Sequence, residues 1–174
     1  MSLDATPFAR RASRSWEDEL SHLENPAELD DENLQAVLAY WRGLHRDGRL
    51  PCRADLDLVL LRAQLGRLFL IDVLPGATEF RFRLVGSKLA HRFGRDSTGK
   101  LLTECFQGEA QPVGEWLRQR YQTVVRRRIP VLTRAPLVQT GREFTDAVAI
   151  HLPLSEDGEA VNMIFGSTAF RTVG

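Results

Sequence analysis

Apolar side chains recur at three- and four-residue spacing between residues 31 and 47. Leu34, Val37, Leu38, Trp41 and Leu44 fall on one stripe, the period of an amphipathic helix. Asp30 or Asp31 can cap its start, Asp31 and Glu32 suit the positive end of its dipole, and Gly48 stops it. The segment Arg49–Arg53 around Pro51 reads as a turn, and residues 55–65 read weakly as a second short helix. The period then changes. Leu68–Leu74 is a compact apolar run closed by Pro75-Gly76. From Glu79 to Val85 the pattern alternates, with Phe80, Phe82 and Leu84 pointing one way and Glu79, Arg81 and Arg83 the other. That is a half-buried strand, and the short connection before it predicts an antiparallel hairpin.

A short helix, Ser87–Phe93, is expected between Gly86 and Gly94, and a longer one over Pro112–Arg128. Val113, Trp116, Leu117, Tyr121, Val124 and Val125 form the inner side of the longer helix. Three strands then follow as a meander: Ile129–Gln139, Arg142–Leu154 and Ala160–Thr172. Two strands, a helical middle and three more strands predict an α+β domain. It has one five-stranded antiparallel sheet, helices on one face and the N-terminal helix as a cap. The division expected is an acidic, mobile arm over residues 1–30 and one domain over 31–174.

Composition narrows the class. The 174 residues are 43 % hydrophobic, enough for a core without disulfide or metal support. Lys plus Arg and Asp plus Glu number 23 each, a balance unlike that of a nucleic-acid coat. The distribution is uneven. Residues 1–32 hold nine acids against three arginines, which leaves 14 acids and 20 bases on the body. An acidic arm before a basic body either folds back on it or stays solvated. No apolar run reaches membrane-helix length and no signal-peptide core opens the chain, so a cytoplasmic location is expected. Cys52 and Cys105 fit neither a disulfide framework nor a zinc site.

Several blocks resemble one family. Tyr40-Trp41 precedes a loop reading Gly48-Arg49-Leu50-Pro51-Cys52-Arg53-Ala54-Asp55. Leu68–Val73 and Phe80-Arg81-Phe82-Arg83-Leu84-Val85-Gly86 follow, then Thr98-Gly99 and Leu152-Pro153-Leu154. In wording and in element order, residues 33–172 resemble the PAS domains found as short standalone alphaproteobacterial proteins. The loop departs at Cys52, where a small Ser or Thr is expected. The resemblance implies a five-stranded PAS sheet, a sensing or protein-interaction role, and Tyr40, Trp41, Gly48, Arg49, Pro51, Arg53, Asp55, Arg83 and Gly86 as structural signature.

Other chemistry finds little support. Gly94–Leu101 has the spacing of a phosphate-binding loop, but Leu101 stands where Ser or Thr must bind magnesium. His22, His45, His91 and His151 lack metal-ligand spacing, and no nucleophile and base stand at a defensible spacing. Arg126-Arg127-Arg128 suits a helix C-terminus without nucleic acid. The chain is therefore expected to be no enzyme, to carry no cofactor or metal, and to act in trans on a signalling partner.

Two readings stay open. In one, Phe82, Leu84, His91, Phe93, Phe106, Trp116 and Tyr121 line a pocket for a small molecule. In the other, the same aromatics fill the core of a ligand-free interaction module. Arg83 faces either the outer sheet surface, which the alternation favours, or the pocket, where it would clamp a carboxylate. The stripe Leu34, Leu38, Trp41 and Leu44 is expected to form an isologous homodimer interface, since leaving it in water is costly.

Overall fold

The computed structural model describes residues 29–138 and 144–173; for 135–138, 144, 145, 172 and 173 the backbone alone is described. The acidic arm falls almost wholly outside these residues. Helix α1 spans Glu32–Gly43, with the Asp31 carboxylate accepting from the Leu34 N–H at 2.9 Å. It ends four residues earlier than its stripe predicts, and a tight turn closed by an Arg46–Arg49 bridge follows. The weak helix expected at 55–65 is instead a pair of short 3-10 turns, Leu58–Leu61 and Leu65–Arg67.

Strands β1 (Leu68–Val73) and β2 (Phe80–Val85) form the expected hairpin. Helices α2 (Ser87–Arg92), α3 (Leu102–Cys105) and α4 (Gln111–Arg127) lead to the meander β3 (Val131–Val138), β4 (Phe144–Leu154) and β5 (Met163–Val173). The sheet is antiparallel, in the order β2-β1-β5-β4-β3. Residues Gly99 and Lys100 lie along the outer edge of β2, with main-chain bonds to Phe82 in both directions. The phosphate-loop spacing at 94–101 is thus a turn laid against a strand.

Both faces of the sheet are covered. On the outer face Leu68 and Leu70 of β1, Val148, Ile150 and Leu152 of β4, and Phe165 of β5 meet Leu34, Val37, Leu38 and Trp41 of α1. This corrects the interface reading. Leu34, Leu38 and Trp41 are buried within their own domain and Leu44 packs against the same cluster. Any homodimer must use another surface. Four buried side chains of this size represent on the order of 8 kcal/mol of transfer free energy. The sheet can hide them because its outer face is apolar along β1, β4 and β5, whatever the charge on β2.

The signature residues are architectural. The Trp41 indole N–H donates to the Pro153 carbonyl at 3.0 Å, and the Tyr40 hydroxyl accepts from the Asp57 N–H at 2.7 Å. Pro51 is buried, and its carbonyl accepts from Ser155 at 2.9 Å. Arg49 donates to the Asp157 carbonyl, so the signature loop grips the β4–β5 turn. The Asp55 carboxylate accepts from the Cys52 N–H at 2.8 Å, which, ahead of Arg46, holds its pKa below the usual value. Arg53 forms no ion pair among the described residues. Gly86 sits where a Cβ would lie 2.4 Å from the Gly66 carbonyl oxygen, so β2 can end against the 3-10 turn before β1 only without a side chain.

Candidate functional site

The inner face of the sheet, under α2, α3 and α4, is where a PAS-like pocket was expected. Phe69, Ile71, Phe80, Leu89, Leu102, Tyr121, Val124, Val131 and Ile164 are buried there, with Phe82 and Phe106 half-buried against them. The Phe80 and Tyr121 rings meet edge to face, centroids 5.2 Å apart, a preferred aromatic geometry. Of the seven pocket candidates the structure gathers three: Phe82, Phe106 and Tyr121.

The other four lie elsewhere, each for a visible reason. Leu84 packs on the outer cluster. The β1–β2 register runs Leu70 to Leu84 and then Ile71 to Phe82, so a bulge falls at Arg83 and turns Leu84 to the opposite face. His91 is exposed on α2. Phe93, just past the end of α2, is 47 % exposed, and its ring meets that of Phe170 with centroids 6.0 Å apart. Trp116 is half-buried on α4 beneath the Arg120 guanidinium, 5.3 Å from its ring centre, and outside the inner cluster.

The bulge also settles Arg83. Its Nε donates to the Asp72 carboxylate at 2.6 Å. Asp72 lies between the inward-facing Ile71 and Val73, so the pair belongs to the outer face. The carboxylate clamp inside a pocket is excluded.

A buried polar group without a motif in the sequence lies among the aromatics. His151 of β4 is 2 % exposed, with Nε2 3.0 Å from the Thr133 hydroxyl on β3. Its ring centre is 5.3 Å from that of Phe69 and 5.4 Å from that of Tyr121. Burial holds the imidazole neutral, its pKa down to about 3; Nδ1 has no hydrogen-bond partner among the described residues. Burial likewise pushes the Tyr121 phenol up, aided by Cys105. Neither changes charge near neutral pH.

The signal for His151 was present in the alternation of β4. Val148, Ile150 and Leu152 face α1, so Ala147, Ala149 and His151 face inward, and two alanines leave room for one larger ring. Gly166, opposite His151, completes the space: a Cβ there would stand 2.3 Å from the Phe69 ring. Phe69 therefore lies over a glycine and against the imidazole.

At the edge of this cluster, between α3 and the start of α4, lies an open cleft of about 380 Å³. It is lined by Leu102, Thr103, Phe106, Gln111, Glu115 and Arg118, among others. Arg118 and Glu115, one turn apart on α4, approach to 3.8 Å along its wall. No three His, Cys, Asp or Glu side chains converge as a metal site among the described residues, and no helix there is long and apolar enough to cross a membrane.

Among solved structures, the crystal structure of a sensory box sensor histidine kinase from Vibrio cholerae aligns with a TM-score of 0.44 and 16 % identity. The alignment covers 67 % of this chain and 90 % of that one. No curated protein sequence matches the chain. A family model described as PAS domain matches residues 29–169. That span runs from two residues before the Asp31 cap of α1 into the last strand and takes in both covering layers and the cluster around His151. With well over half of its sequence inside the match, the chain belongs to the PAS domain family.

Proposed function

We propose that this PAS domain is a non-catalytic signalling adaptor that acts in trans on a partner protein, with an interior filled by its own side chains. The observation that carries this reading is the run of rings Phe80, Tyr121, His151 and Phe69 across the inner face, each 5.2–5.4 Å from the next. A ligand centred there would have to displace them. The family match takes up residues 29–169, so within this sequence a signal leaves through a surface, by a shift in the population of surface conformations.

A second reading, gating by a small ligand, has one observation in its favour. The cleft of about 380 Å³ beside Phe106 is within the size range of small-molecule sites. Native mass spectrometry of the full chain, paired with Tyr121→Ala, separates the two. A filled interior gives the mass of the chain alone, and the truncation costs about 3–5 kcal/mol. A stoichiometric bound molecule, or a truncation cost below about 1 kcal/mol, returns the ligand-gated reading.

A further inference from the structure

The two 3-10 turns before β1 carry apolar surface that the domain leaves in water. Val59 is 71 % exposed, Leu60 69 % and Leu65 42 %. Their neighbour Leu61 points inward, into the cluster that holds Leu29 and Leu34. Basic side chains border this surface: Arg62, Arg67, and Lys88, whose stem lies over Gly66. One acid, Asp57, stands at its start, and its carboxylate accepts from the Val59 N–H. Three large apolar side chains beside three cations are a poor solvent face, and they suit an amphipathic, acidic partner.

The chain itself contains such a segment, a few residues before the first described one. Trp16, Leu20 and Leu23 recur at i, i+4 and i+7, and Glu17, Asp18, Glu19 and Glu24 lie between and beside them. Asn25-Pro26 then disfavours any helix beyond that point. The described chain starts at Leu29, whose carbonyl accepts from Gln35. At the start of α1 the Asn33 side chain accepts from Gln64 at 3.4 Å, and Gln64 precedes Leu65. The exit of the N-terminal segment is thus beside the exposed turns. Six residue steps separate Leu23 from Leu29, a reach of up to about 20 Å.

We propose that residues 16–24 dock in cis on the surface formed by Val59, Leu60 and Leu65. The three apolar side chains of the segment cover the three on the turns, and its acids face Arg62, Arg67 and Lys88. The uneven charge of the sequence then has a structural use, since the acidic arm neutralises a basic, apolar patch of its own body.

The test is a disulfide trap in the full chain, Leu20→Cys with Leu60→Cys, oxidised mildly beside each single variant. Leu60 is mostly exposed, so its replacement leaves the core intact. An intramolecular bond, two mass units below the reduced monomer and found in the double variant alone, supports docking in cis. A covalent dimer formed by the double variant alone overturns it in favour of a second copy's segment. No bond at all overturns it as well. Amide shifts provide an independent check: Leu20→Asp with Leu23→Asp moves resonances at 59–67 and 88 if the segment lies there. If those resonances stay in place, the surface has another occupant.

Discussion

Lowering the pH from 7 to 5 places a direct load on His151. The imidazole is buried, with a folded pKa of about 3 against an ordinary 6.5. Protonation therefore favours the unfolded chain. The stability that the neutral ring contributes is complete above 6.5 and is lost as pH falls from 6.5 toward 3. Each unit in that window costs about 1.4 kcal/mol, so a step to pH 5 removes roughly 2 kcal/mol. With a urea m-value of about 2 kcal/mol/M, the midpoint drops by about 1 M.

Asp55, Asp96 and Asp157 all have lowered pKa values. Their contributions disappear only below the ordinary carboxylate value, outside this window. The comparison variant is His151→Leu with Thr133→Val, which removes both halves of the hydrogen bond and leaves no orphan hydroxyl. Its midpoint loses that 1 M dependence. Equal pH slopes for the two proteins between 7 and 5 would refute the buried, neutral imidazole.

Two further outcomes follow from the packing. Leu38→Asp places a carboxylate without a partner in the outer core, costing several kcal/mol beyond the lost burial; circular dichroism should show an unfolded chain, whereas a folded one would free the α1 stripe for an interface. Arg83→Gln breaks an exposed pair with Asp72, so its urea midpoint should correspond to a loss of less than about 1 kcal/mol, and a larger loss would mean that the bulge depends on the ion pair.

Element order was legible because the period changes are sharp: the α1 stripe, the Phe80–Arg83 alternation and the breaks at Pro75-Gly76 and Gly86. The destination of the stripe was not. Arg81 and Arg83 made the outer face look polar, yet they belong to the edge strand β2, and strand order decides how much of a face one strand represents. The run Leu68–Ile71 held the correction, since four consecutive apolar residues in a strand mean burial on both sides. The bulge at Arg83 left no local trace. It is visible only in pairing with β1, and it alone misdirected Leu84. Phe93 and His91 lie near the pocket in sequence but not in space, since the last turn of a six-residue helix can point either way. His151 stands alone in the sequence without metal-ligand spacing, and its setting lies instead in the alanines two and four positions before it.

The two outermost strands bear on how the protein behaves at high concentration. An open strand edge is a template for pairing with another chain. Along β2 that template is already occupied, because Gly99 and Lys100 bond to Phe82. Strand β3 pairs with β4 through Val131–Val138 and includes Pro136, which brings no N–H to either side. Edge-to-edge growth into fibrils therefore meets a filled edge at one end of the sheet and an interrupted row of donors at the other, protection built into the backbone itself.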